Sequence, residues 1–162
     1  MRDHTTAAVR PATAADLRAL IGRELGPTRW VELTQREIDA FAELTGDRQW
    51  IHVDPERAAR SAFGSTIGHG LLTLAHGPAL LEELMAFDGF AHSLNYGYGR
   101  VRFPAPLPVG SRIRMRATIT AVDGVPGGAR MTVQQTFERE GHPKPVCVAE
   151  QLARFTERAV RR

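Results

Sequence analysis

Leu71-Leu72-Thr73-Leu74-Ala75-His76-Gly77-Pro78-Ala79-Leu80-Leu81-Glu82-Glu83-Leu84-Met85 is apolar nearly all round, and its reading decides the fold. A helix with no polar face is one that other elements cover. Pro78 brings no N–H and is expected to kink the helix or mark an irregular part of it. After Asp88 and Gly89 the apolar period changes to two. Val101 and Phe103 lead into a turn-rich stretch at 104–110. Ile113, Met115, Ala117 and Ile119 then alternate with Arg112, Arg114, Arg116 and Thr118. A turn at 123–128 separates these from Met131, Val133, Gln135 and Phe137, which alternate again, and 146–155 reads as a last strand before a basic tail. Strands joined by short turns pair antiparallel. Four long strands beside one buried helix predict an α+β layer, a curved antiparallel sheet wrapped around the helix.

Upstream, the signals are those of short helices. Residues 1–12 are expected to form a flexible tail, and 13–162 a single domain. Thr13 to Asp16 resembles a helix start, with Gly26-Pro27 stopping that helix near Leu25. Trp30 to Leu33 reads as a short strand. Thr34-Gln35-Arg36-Glu37 is a capping box, followed by Ile38, Phe41, Ala42 and Thr45 at helical spacing and closed by Gly46. Asp54-Pro55 pairs an N-cap with proline at the first helical position and starts a short helix to about Arg60.

Composition excludes several classes. The 162 residues are 43% hydrophobic and 24% charged, enough for one domain with its own core. Cys147 is the single cysteine, so no internal disulfide forms and a reducing compartment is expected. No run of about 18 unbroken apolar residues is present to cross a membrane, and the first residues lack the apolar centre of a signal peptide. We expect a cytoplasmic protein that binds neither membrane nor nucleic acid. The net charge of +3 comes almost wholly from arginine, since Lys144 is the only lysine among 21 basic residues. These arginines are spread along the chain without an aromatic-basic module.

The chemistry concentrates at Thr45-Gly46-Asp47-Arg48-Gln49-Trp50-Ile51-His52-Val53-Asp54 and at Phe63-Gly64-Ser65-Thr66-Ile67-Gly68-His69-Gly70. Five residues along one helix would set Asp47 and His52 about 140° apart. Gly46 breaks the helix first, and a turn brings them together. A carboxylate beside an imidazole can share one water and exchange roles as acid and base. Gly70 opens the long apolar helix, where backbone N–H groups point outward unpaired. Its amide suits a thioester carbonyl that becomes enolate-like, and glycine lets that group approach without a Cβ. His69 and His76 lie seven residues apart, and a zinc site with His52 or Asp47 is conceivable; packed core histidines are the expectation, with no metal.

These segments, with Ala58-Ala59 between them and the turn from Val101 to Gly110 after them, resemble the MaoC-like, (R)-specific enoyl-CoA hydratases. The resemblance covers most of the chain, about 32–155. It implies a hot-dog fold, usually a homodimer whose sheets join. It also implies an Asp47–His52 dyad, a Gly70 oxyanion donor, and hydration of trans-2-enoyl-CoA to (R)-3-hydroxyacyl-CoA. The CoA thioester is the substrate, and no separate cofactor is implied. Gln49-Trp50 stands where the family commonly has Asn-Pro, Gly68 where it has alanine, and Pro78 where some relatives carry a small polar residue. The Gln-Trp form resembles a nodulation-protein-N-like branch. Around the dyad, Gln49, Phe63, Ile67, His69, Asn95, Tyr96 and Arg102 are expected to meet substrate. Tyr98 reads with Asn95 and Tyr96 along an acyl tunnel, and Arg100, Arg102 or Arg114 as partners of CoA phosphates. Two other readings stay open: a hot-dog thioesterase, which needs a further carboxylate such as Glu82 or Glu83, and a non-catalytic acyl-thioester binding protein or dehydratase subunit.

Overall fold

Each helix start foreseen from a cap forms, and the sheet follows the period-two segments. The computed structural model describes residues 8–158. Along the chain come α1 (Ala14–Ala19), β1 (Glu24–Leu25), β2 (Val31–Glu32), α2 (Gln35–Thr45), α3 (Trp50–Val53), α4 (Pro55–Ala59), α5 (Gly70–Ala75) and α6 (Gly77–Leu84). The long strands β3 (His92–Arg102), β4 (Arg112–Val125), β5 (Gly128–Arg139) and β6 (Cys147–Thr156) complete it. The six strands make one antiparallel sheet in the order β1-β4-β5-β6-β3, with β2 also on β4.

One face of this sheet is the core. Ile113, Met115, Ala117 and Ile119 of β4 are buried, as are Met131, Val133, Gln135 and Phe137 of β5 and Cys147, Ala149, Ala153 and Phe155 of β6. Leu74, Leu80, Leu81 and Leu84 of α5 and α6 are buried in the same core. This is the α+β hot-dog arrangement. The other face carries the arginines in ion pairs, Arg114 and Arg116 to Glu138 and Arg112 to Glu140. Register shifts in β3 and β4 interrupt the ladder, and such bulges bend strands. Burial pushes the Cys147 thiol up to about 12, so it is an inert core group.

Three details differ from the sequence reading. The first helix ends at Ala19 rather than near Leu25, because Gly22 turns left-handed (φ 81°) and donates to Ile119 O. Glu24 and Leu25 then pair with β4, so the ladder displaces the helix. The long apolar helix is interrupted at His76, just before Gly77 and Pro78, as the proline led us to expect, but it is not covered all round: Leu71, Ala75 and Ala79 form an exposed stripe on it. Residues 1–7 of the expected tail lie outside the described residues, whereas Val9 bonds the backbone of Leu84 and Ala86, and Pro11 is buried.

The Thr34 capping box holds α2, the helix that leads to Asp47: Thr34 Oγ1 accepts from Glu37 N, and Glu37 accepts from Thr34 N. Gly46 closes it in the left-handed region (φ 80°). Thr34→Ala is expected to cost about 1 kcal/mol of stability, read as a lower denaturant midpoint with an unchanged slope.

Candidate active site

The turn that Gly46 opens hands the chain to α3, a single turn that carries His52. Two neighbours fix α3. Gln35 of α2 donates to His52 O at 2.8 Å, and Ile67 N donates to Ile51 O at 3.0 Å. The imidazole of His52 is buried, with Nδ1 2.7 Å from Ile67 O. A carbonyl only accepts, so in the neutral ring Nδ1 carries the hydrogen and Nε2 keeps its lone pair.

His69 lies on this ring. The two imidazoles stack at 3.8 Å between centroids with 24° between planes, and Phe41 backs His69 at 5.0 Å. His69 Nε2 is 2.9 Å from the backbone oxygen of Asp47. Asp47, His52 and His69 thus bring one polar atom each within 4.8 Å of one another, with Asp47 the least buried. These three could meet a metal ion. The stacked rings, however, send their in-plane lone pairs side by side rather than to one point, a poor fit to tetrahedral coordination. His76 stands outside the group, and burial holds its imidazole below the ordinary range.

Next to His52 is a cavity of about 280 Å³, lined mainly by apolar groups, among them Ile67, Phe103, Leu107 and Val146. Gly68, Gly70 and Thr73 complete the helix side, and Ala105 and Pro106 the loop side. The loop is held there by Gly68 N donating to Leu107 O and Val109 N donating to Thr66 O. The Gly70 N–H, first of α5, has no hydrogen-bond partner among the described residues. A Cβ at Gly70 would stand 2.8 Å from the Phe103 ring, so that ring needs a glycine beneath it.

The residues expected to meet substrate divide. Ile67 lines the cavity and His69 packs on His52. Gln49 is exposed and caps α3 with its backbone oxygen, and Phe63 is 43% exposed on a turn. Asn95, Tyr96 and Arg102, all on β3, are not among the residues lining the cavity. Asn95 accepts from Gln151 and donates to Tyr98, Tyr96 is 64% exposed, and Arg102 donates to Val101 O. Arg100 sits with Gln134 and Glu150, and Arg114 lies over Trp30. Sequence reasoning passed over Thr73, Ala105, Pro106, Leu107 and Val146; the turn-rich stretch at 104–110 was the available signal for three of them.

The sequence pattern of the MaoC like domain matches residues 16–140. The chain belongs to the MaoC-like domain family. A MaoC-like relative of Mycobacterium tuberculosis, 3-hydroxyacyl-thioester dehydratase Z, is 48% identical over 144 residues, 88% of this chain and 95% of the relative. Nodulation protein N of Rhizobium leguminosarum bv. viciae is 42% identical over 145 residues, 83% of this chain and 86% of that one. The fold is shared with an unliganded (R)-hydratase of Pseudomonas aeruginosa, at a TM-score of 0.72 and 21% identity, over 91% of this chain and 87% of the other. The family is one of dehydratases, and hydro-lyase is the coarse class of this MaoC-like protein. Among the described residues no helix is long and apolar enough to cross a membrane.

Proposed function

We propose that this MaoC-like protein is an (R)-specific enoyl-CoA hydratase, adding water to trans-2-enoyl-CoA to give (R)-3-hydroxyacyl-CoA, reversibly. The observation that carries the reading is the bond from His52 Nδ1 to Ile67 O, which leaves Nε2 as a proton acceptor beside the Asp47 carboxylate. Asp47 and His52 hold the water. Its oxygen bonds C3 of the substrate while one of its protons passes to the dyad. The π electrons move toward C2 and the thioester oxygen, where the free Gly70 N–H stabilises the charge. The dyad then returns a proton to C2 from the same face, so one water is added in all. The reverse direction is the one that the name of the M. tuberculosis relative describes.

The apolar cavity suits an acyl chain. A thioesterase would need a further carboxylate there. Glu82 is exposed and Glu83 pairs with Arg29, so neither supports that reading. We further propose a cytoplasmic homodimer whose substrate is the CoA thioester, with no separate cofactor.

The test is to follow the loss of enoyl-thioester absorbance with trans-2-enoyl-CoA substrates of short and long chain, and to determine the configuration of the product. Turnover to the (R) product is expected. An (S) product, or none across chain lengths, would overturn the assignment.

A further inference from the structure

His69 occupies the N-cap of α5, with extended backbone (φ −60°, ψ 136°), but its side chain makes no cap hydrogen bond. Serine, threonine, aspartate and asparagine are the residues that favour that place. The ring is turned instead into the site, 3% exposed, with Nδ1 buried and unpartnered. A poor cap and an unpaired buried nitrogen both cost stability, and such local losses concentrate at functional positions.

Besides the Phe41 ring that backs it, the His69 ring makes two contacts, and each of these two meets a member of the dyad. Its Nε2–H donates to Asp47 O, and its face stacks on His52. Its backbone leads directly into Gly70. Asp47 needs such a tie. Residues 43–49 are exposed, and the only other hydrogen bond to Asp47 among the described residues is its own N–H to Thr45 Oγ1, a long 3.4 Å. His52, by contrast, is fixed from three sides, through Gln35, the Gln49 oxygen and Ile67.

We infer that His69 is a positioning residue that couples Asp47, His52 and the Gly70 amide into one rigid unit. This rests on the hydratase reading above. A misplacement of about 1 Å in such a constellation costs about 10²-fold in rate.

The experiment compares His69→Asn with His69→Gln. Asparagine is a better N-cap but too short to reach Asp47 O and stack on His52. Its melting temperature is expected to hold or rise while kcat falls about 10²-fold and KM changes little. Glutamine places an N–H where Nε2 stood and is expected to recover about tenfold of that loss. A merely structural role would lower stability and would not separate the two variants. Hydrogen exchange at the Arg48 amide, which bonds Gly46 O in the same turn, reads the tie without turnover. It should quicken in His69→Asn and less in His69→Gln. If the wild type hydrates no enoyl thioester, the functional reading fails, and this exchange alone decides on the strut. Wild-type kcat in His69→Asn, equal losses in both variants, or unchanged exchange in both would overturn the inference.

Discussion

Asp47→Asn and His52→Ala are each expected to lower kcat for trans-2-enoyl-CoA hydration by about 10² or more, the size of lost general acid–base catalysis. On the proposed mechanism the two act by different losses. Asp47→Asn keeps the shape and removes the charge that holds the water. Its carboxylate makes no hydrogen bond among the described residues, so the fold has little reason to change. His52→Ala removes the proton acceptor, the bond to Ile67 O and the stacking partner of His69 together. Residues that act as a unit are not additive, so the double variant should be little slower than the slower single one. The measurement is the initial rate of absorbance loss at saturating substrate, alongside the melting temperature of each variant. Either variant hydrating at the wild-type rate would remove that residue from the dyad.

How far the sequence could be read depended on whether a signal was local. The Thr34 box, the Gly46 stop and the Asp54-Pro55 start each rest on contacts within one turn of chain, and each stands in the structure. The alternation from Ile113 to Phe137 gave the buried face because one side of those strands meets only the core. Long-range pairing wrote no such signature. Gly22 N reaching Ile119 O ended the first helix early, and nothing near Gly22 announces it. Asn95 and Tyr96 are expected to meet substrate, but register shifts after Asn95 and after Tyr98 change which side chains face the core. Motif spacing grouped Asp47, His52 and Gly70. The orientation of His69 is set by the packing of three separate segments, and no local pattern carries it.

Phe155→Ala is expected to cost about 3–5 kcal/mol of stability, the usual loss for a buried phenylalanine in a core that cannot fully collapse. Phe155 is completely buried near the end of β6, tilted on Phe90 at 4.8 Å and edge-on to Phe87 at 5.2 Å. For a chain of this length the melting temperature should fall by roughly 10 °C. Phe155→Leu refills most of the volume and should keep more than half of the lost stability. Phe155 does not line the cavity beside His52, so the folded fraction of Phe155→Ala should hydrate at close to the wild-type kcat well below its transition. An unchanged melting temperature in Phe155→Ala would mean that the aromatic cluster is not packed as described. The dyad variants should do the opposite, keeping the transition and losing the rate. The physical reason is that the core binds through many small apolar contacts spread over β4, β5 and β6, whereas among the described residues His69 is the one side chain of the site that hydrogen-bonds Asp47, at its backbone oxygen.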